Sequence, residues 1–242
     1  MRNGGRVMGK SLKPRGILSP IPHPPFPQAI GLLGGTFDPI HYGHLRMAEE
    51  LAEALDINQV RFIPAGSPPH RGQPRAEARH RLEMARVAVA GNPRFVLDDR
   101  EIVRERPSYS VDTLTDLRVE LAADTSLVLF MGSDAFLGLT SWHEWRRLFE
   151  LAHIAVAHRP GFSPALWEDA LPDALRRQLS KRLTAQPAEL AEAPAGRICL
   201  HAITQLDISA SQIRDYVLRG KSLRYMLPDA LIDYITENHL YA

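Results

Sequence analysis

Three observations predict an α/β fold in which a doubly wound, mostly parallel sheet carries helices on both faces. Short apolar runs at 29–33, 59–64, 95–97, 126–131, 153–157 and 197–202 alternate with stretches of helical periodicity, the rhythm of βαβ units. The run 126–131 is apolar at every position after Ser126, as a strand buried on both faces must be, and is therefore placed at the centre of the sheet. The first run ends in a glycine turn that opens directly into a helix, Leu33-Gly34-Gly35-Thr36-Phe37-Asp38-Pro39-Ile40-His41-Tyr42-Gly43-His44, with Leu45, Ala48, Leu51, Ala52 and Leu55 recurring at helical spacing.

Residues 1–28 are basic, rich in proline and poor in large apolar side chains, and they lack the apolar core of a secretory signal, so they are read as a flexible N-terminal extension. Within them Gly4, Gly9, Lys10 and Ser11 spell the P-loop pattern. A P-loop needs a strand before it and a helix after it, and here Pro14 and Gly16 interrupt any helix beyond Ser11, so the match is set aside. Residues 29–242 form one α/β domain. Its strand 59–64 leads into a loop with Pro68, Pro69, His70 and Arg71, then a helix over 76–90 with Leu82, Ala85 and Val89 on one face. Strand 95–97 and a charged segment precede a helix over 110–121; short helical pieces at 135–139 and 142–148 precede strand 153–157. Residues 160–196 break the rhythm and are read as a peripheral excursion with a helix at 173–183. Strand 197–202, a helix over 212–218 stopped by Gly220, and a final helix from Pro228 to 238 complete the chain.

With 242 residues, a net charge of +1, 45% hydrophobic and 24% charged residues, the composition is that of an ordinary globular protein, and the balanced charge argues against a large basic face for nucleic acid. A single cysteine, Cys199, excludes an internal disulfide framework and fits a reducing compartment; no apolar run approaches a membrane span, so the cytoplasm is the expected location. Oligomeric state is left open, a homo-oligomer included.

The glycine turn carries the chemistry. Gly34 and Gly35 let backbone N–H groups approach a ligand closely, and the helix start behind them offers unpaired donors and a partial positive charge, which suits phosphate. His41 and His44 stand about one turn apart and can face the same ligand. The plain alternatives are a simple turn, a surface pair or two metal-binding imidazoles. A second stretch, Ile208-Ser209-Ala210-Ser211-Gln212-Ile213-Arg214, puts two hydroxyls and a guanidinium at another helix start. One serine caps that helix, and Arg214 presents a planar fork suited to phosphate oxygens.

The first stretch resembles the nucleotidyltransferase superfamily signature, a glycine turn followed by His-x-Gly-His, and within that superfamily it is similar to the nicotinate-nucleotide adenylyltransferases of NAD synthesis. The second resembles the superfamily's Ile-Ser-x-x-x-Ile-Arg string. Between them, Pro68-Pro69-His70-Arg71 resembles the loop that closes over nucleotide phosphates. Pro107-Ser108-Tyr109-Ser110-Val111-Asp112-Thr113-Leu114 resembles the segment that helps hold the pyridine mononucleotide. Gly132-Ser133-Asp134 with Trp142 resembles a strand end and the tryptophan that stacks on the pyridine, and Arg159-Pro160-Gly161 also matches. Asp134 as a helix cap and Trp142 as a core residue are the plain alternatives. The resemblance runs from about Ile30 to the end of the chain and is thin over 162–196. It implies a Rossmann-like fold and a site in which His41, His44 and Arg214 are catalytic. Gly34, Gly35, Thr36, Phe37, His70, Arg71, Gly132, Asp134, Arg159, Ile208, Ser209 and Ser211 then hold ATP and its phosphates. Tyr109, Ser110, Asp112, Trp142 and His143 hold nicotinate mononucleotide.

Two positions depart from the family pattern: Ser110 replaces a common threonine and keeps the hydroxyl, and His143 replaces a common tyrosine where mainly a backbone N–H is used. The implied reaction needs no nucleophile–base pair, because the acceptor phosphate is itself a nucleophile. Mg²⁺ is expected with ATP, held by phosphate oxygens and water, and no dedicated protein metal site is expected. The rival readings are another adenylyltransferase of the superfamily, acting on nicotinamide mononucleotide or pantetheine phosphate, a non-catalytic nucleotide-binding module, and a metal-dependent hydrolase built on the histidine pair.

Overall fold

The computed structural model describes residues 1, 29–68, 73–158, 171–204 and 206–242. The P-loop spelling, His70, Arg71 and Arg159 lie outside the described residues. Seven strands form one parallel sheet: β1 (Ile30–Gly35), β2 (Gln59–Pro64), β3 (Phe95–Leu97), β4 (Leu127–Gly132), β5 (His153–His158), β6 (Leu183–Thr184) and β7 (Ile198–Ala202), in the order β3-β2-β1-β4-β5-β7-β6. The apolar run expected to be central is β4, the middle strand, with Leu127 to Met131 all buried.

Side chains alternate strictly between the two faces, as the two-residue period of a strand requires. On one face Leu33, Val128, Phe130, Ala155 and Ala157 pack under α1 (Tyr42–Ala54) and α2 (Ala78–Val89). On the other, Ile30, Leu32, Leu127, Leu129, Ile154 and Val156 pack under α3 (Ser110–Glu120), α4 (Ser133–Leu137), α5 (Leu148–Leu151) and α6 (Asp173–Arg182). The chain then returns to the first face with α7 (Ala210–Leu218) and α8 (Asp229–Glu237), through Ile213, Leu231 and Ile235. The fold is therefore a Rossmann-like α/β sandwich with helices on both faces.

Three details differ from the expectations drawn from sequence. The core face of α2 is Arg81, Met84, Ala85 and Val89, with Leu82 only half-buried, because the arginine has a set of backbone acceptors to reach inside. Pro228 stands at the N-cap of α8 and not within its first turn. The excursion after β5 adds an edge strand, β6, paired with β7, and buries Leu171, Leu175, Leu179 and Leu190.

The connections set the site. The chain runs outward from β1 to β2 and β3, then crosses back to place β4 on the other side of β1. Open α/β sheets bind ligands beyond the carboxyl ends of the strands where the order reverses in this way. β1 pairs with β2 along its whole length, Ile30↔Gln59 through Gly35↔Pro64, but with β4 only from Ile30↔Leu127 to Leu32↔Leu129. Both strands run on, to Gly35 and Gly132, so a crevice opens between their ends.

Candidate active site

In a parallel sheet every helix that follows a strand starts at the carboxyl edge. The N-termini of α1, α3, α4 and α7 therefore gather around the crevice, α1 and α7 on one face and α3 and α4 on the other. Each contributes a positive dipole end, although some first-turn N–H groups are already taken, that of Tyr42 by the Met226 carbonyl at 3.0 Å and that of Gln212 by Ser209 Oγ at 3.2 Å.

His41 is the N-cap of α1 and His44 lies in its first turn; the His41 backbone N–H donates to His44 Nδ1 at 3.3 Å. Their rings stack with centroids 3.8 Å apart, and Phe37 meets His44 edge-on at 5.1 Å. The His41 ring packs where a side chain on Gly43 would be, a Cβ there lying 2.9 Å from His41 Nδ1, which is the physical reason for glycine within the His-x-Gly-His string. His41 is 6% exposed, and its Nδ1 has no partner. Burial pulls its pKa down from 6.5 to about 4, so the ring is neutral at neutral pH. A buried polar atom without a partner is uncommon in a folded protein; among the described residues Arg61 Nε on β2 is the other, so what points His41 to a ligand is its place at the start of α1 beside the glycine turn. A Cβ on Gly34 would meet only the Ile63 carbonyl oxygen, 4.0 Å away, whereas at Gly35 that space holds the Phe37 ring, 2.8 Å away. The close approach to a ligand thus belongs to Gly34, and Gly35 instead accommodates the left-handed turn at Phe37 (φ 49°).

The second stretch arrives against the first. Ser209 is the N-cap of α7, its Oγ accepting from the Gln212 N–H at 3.2 Å and lying 3.1 Å from Ser211 Oγ. The Ile208 carbonyl lies 3.6 Å from where a Gly43 Cβ would be. Arg214 Nη1 donates to the Asp38 carbonyl at 2.6 Å and lies 3.7 Å from Asp38 Oδ2. A guanidinium has five donors, so one anchoring bond leaves the rest of the fork for phosphate oxygens. Two motifs at opposite ends of the domain thus form one cluster of imidazole, hydroxyl and guanidinium groups.

On the other face, Tyr109 caps α3 without a side-chain capping bond, Ser110 and Asp112 lie in its first turn, and Arg106 approaches Asp112 at 3.5 Å. Tyr109 and His143 rings lie 4.4 Å apart. Trp142 is half-buried against the core below, while Trp145 is buried, so Trp142 is not a simple core residue. Gly132 is the N-cap of α4 and Asp134 lies in its first turn, which corrects the reading of Asp134 as the cap. Ser108 Oγ accepts from the Gly66 and Ser67 N–H groups at 3.0 and 3.3 Å, tying the segment before α3 to the loop after β2.

Sequence reasoning missed two supports. Arg81 is 1% exposed and donates to the carbonyls of Thr36 (2.9 Å), Gly66 (2.8 Å), Ala76 (3.2 Å) and Ala65, holding the glycine turn and the next loop from below. It does leave a signal in the sequence: Arg81, Ala85 and Val89 stand four residues apart on one helix face, an arginine in an apolar row. Asp38 lies within the first motif, where its residue type alone points to no task. Its carboxylate is buried and accepts from the Arg75 and Ala76 N–H groups at 2.8 and 3.0 Å.

Residues 32–216 match the family model described as cytidylyltransferase-like. The chain is 51% identical over 214 residues to a probable nicotinate-nucleotide adenylyltransferase of Dechloromonas aromatica, covering 88% of this chain and 98% of that one. It is 50% identical over 214 residues to one of Halorhodospira halophila, covering 88% and 95%. In structure it is similar to a Plasmodium falciparum nicotinic acid mononucleotide adenylyltransferase complexed with NaAD, with a TM-score of 0.66 at 19% identity over 88% of this chain and 97% of that one.

Proposed function

The chain belongs to the cytidylyltransferase-like family and, within it, to the nicotinate-nucleotide adenylyltransferases, and from that premise we propose how its residues divide the work. It is a nucleotidyltransferase of NAD biosynthesis that moves the adenylyl group of ATP to nicotinate mononucleotide, giving nicotinate adenine dinucleotide and pyrophosphate. A phosphate oxygen of the mononucleotide attacks the α-phosphorus in line; the bond from that phosphorus to the bridging oxygen breaks, and pyrophosphate leaves with the electron pair. Little proton movement is needed, so the protein contributes positioning and charge stabilisation.

The triphosphate lies over the N-termini of α1 and α7. His41 and His44 contact the α-phosphate and the rest of the triphosphate, the open side of Gly34 with Thr36 and Phe37 supplies backbone contacts, and Ser209, Ser211 and Arg214 hold the departing pyrophosphate. Ile208, Gly132 and Asp134 border the nucleotide, and His70, Arg71 and Arg159 are assigned to the phosphates from the sequence. Nicotinate mononucleotide lies across the crevice, its ring on Trp142, with Tyr109, Ser110, Asp112 and the backbone at His143 around its polar edge. The family's divalent metal is assigned as Mg²⁺ carried in with ATP and held by phosphate oxygens, since Mg²⁺ keeps its waters and favours phosphate. Among the described residues no three His, Cys, Asp or Glu side chains gather as a metal site. No helix among them is long and apolar enough to cross a membrane, and we assign the enzyme to the cytoplasm.

The single observation that carries this division is the Arg214–Asp38 bond, which ties the second motif to the turn three residues before His41. It is tested by pyrophosphate release with ATP and, in turn, nicotinate mononucleotide, nicotinamide mononucleotide and pantetheine phosphate. Release with the nicotinate acceptor is the expected result. Release only with pantetheine phosphate moves the chain to a sister activity, and ATP binding without release from any acceptor leaves a non-catalytic module.

A further inference from the structure

Tyr241 lies 203 residues from Asp38 in sequence, yet its phenol donates to Asp38 Oδ1 at 2.9 Å. The chain reaches that position by an unusual path. After α8 ends at Glu237, His239 (φ 51°) and Tyr241 (φ 66°) both adopt the left-handed conformation that bulky residues avoid. Two such residues within three positions are kept only where the surroundings enforce them. Here the enforcing contacts are the Asp38 bond and the approach of the phenol oxygen to Met84 Sδ at 3.8 Å on the core face of α2.

Asp38 is the junction of the phosphate side of the site. One carboxylate oxygen takes the Ala76 N–H and the Tyr241 phenol, the other takes the Arg75 N–H, and its carbonyl takes Arg214 Nη1. Among the described residues Arg214 and Arg81 bring positive charge to it. We propose that Tyr241 is a positioning residue for adenylyl transfer: by fixing the Asp38 carboxylate it fixes the glycine turn and, through the Asp38 carbonyl, the angle at which Arg214 meets the triphosphate. The phenol stays protonated across the working range, because burial and the facing carboxylate both raise its pKa, so it acts as a permanent donor. This role rests on the assignment of Arg214 to the phosphates.

The test is a cycle of Tyr241→Phe, Arg214→Ala and the double variant. It is read by steady-state kinetics and by calorimetric affinity for a non-hydrolysable ATP analogue with Mg²⁺. Phenylalanine keeps the ring and removes one hydrogen bond to the carboxylate while the Arg75, Ala76 and Arg214 bonds to Asp38 stay, so only part of its energy reaches Arg214 and kcat and analogue affinity should each fall by about three- to tenfold. KM for nicotinate mononucleotide should be unchanged. In the Arg214→Ala background the second substitution should add almost nothing, because the two act in series. Equal losses toward both substrates, or full additivity with Arg214→Ala, would show a general structural role and overturn the inference, as would unchanged kinetics and analogue affinity in Tyr241→Phe. Failure of wild-type protein to use any acceptor would overturn the functional assignment instead, and the analogue affinities would still decide the coupling.

Discussion

Each edge of the sheet holds a buried histidine, and the two are treated in opposite ways. At the amino edge the buried His153 and Ser126 and the half-buried Arg118 are matched to backbone. His153, at the start of β5, directs Nε2 to the Ala193 carbonyl at 2.8 Å and accepts the Arg197 N–H on Nδ1 at 2.9 Å. Ser126 Oγ donates to the Leu190 carbonyl at 2.7 Å, and Arg118 spreads its guanidinium over the carbonyls of Leu151, Thr125 and Pro194 at 2.6–2.8 Å. At the carboxyl edge the equally buried His41 has an orphaned Nδ1, Phe37 holds a left-handed turn, and Arg214 is partly exposed. Both edges hold histidine and arginine, so residue type does not separate structure from function. What separates the two histidines is that His153 is completed by backbone, whereas His41 keeps one ring nitrogen open beside the glycine turn that Arg81 and Asp38 brace.

The largest expected effects break this comparison along its axis. His44→Ala or Arg214→Ala should lower kcat by at least about a hundredfold, as loss of a preorganised donor does, with the melting temperature nearly unchanged. Arg118→Ala should do the reverse. Leaving its carbonyls without a donor should cost about 2 kcal/mol of stability, while kcat of the folded fraction stays within about threefold of wild type. A large kcat loss in Arg118→Ala, or a stable and fully active Arg214→Ala, would erase the distinction between the edges.

A second, smaller effect sharpens the pyridine side. Nicotinate presents a carboxylate where nicotinamide presents an amide, and Ser110 with the N–H near His143 are donors. Hydrogen bonds to charged groups contribute roughly 1.5–3 kcal/mol, so kcat/KM should favour the acid by about tenfold to a hundredfold. Trp142→Ala should weaken both acceptors through lost stacking, whereas Ser110→Ala should mainly narrow the gap between them. Steady-state kinetics with both mononucleotides at fixed ATP reads this directly.

Much of this organisation is legible in the sequence, and the reasons are physical. Local periodicity is enough to locate β2 and β3 at their observed bounds and to identify β4 as the middle strand, since a strand buried on both faces can only be apolar. The two phosphate stretches are legible because each is contiguous. What joins them is not: the Arg214 bond to the Asp38 carbonyl, the Tyr241 bond to its carboxylate and the Arg81 clamp all cross the fold, and a backbone acceptor leaves no trace in residue identity. Edge strand β6 is equally silent, being two residues long.

A separate expected effect is on acid stability. His41 is held neutral by burial with a pKa of about 4 against 6.5 when exposed, and burial lowers His153 in the same direction. Between those values the unfolded chain binds protons that the folded chain does not, so stability is present above pH 6.5 and is lost as pH falls toward 4. Denaturant midpoints across that window should fall less steeply in His41→Asn than in wild type. Equal slopes would mean that His41 is not buried neutral.

The central claim, that the open His41 ring nitrogen and its neighbour His44 meet the triphosphate, is tested most directly by heteronuclear NMR of isotope-labelled histidine during titration with a non-hydrolysable ATP analogue and Mg²⁺. The ring nitrogens of His41 and His44 should shift on saturation, with the pKa of His41 rising as phosphate charge arrives, while those of His153 stay in place. A titration that saturates while His41 and His44 do not move, or one in which His153 moves as far as they do, would contradict it.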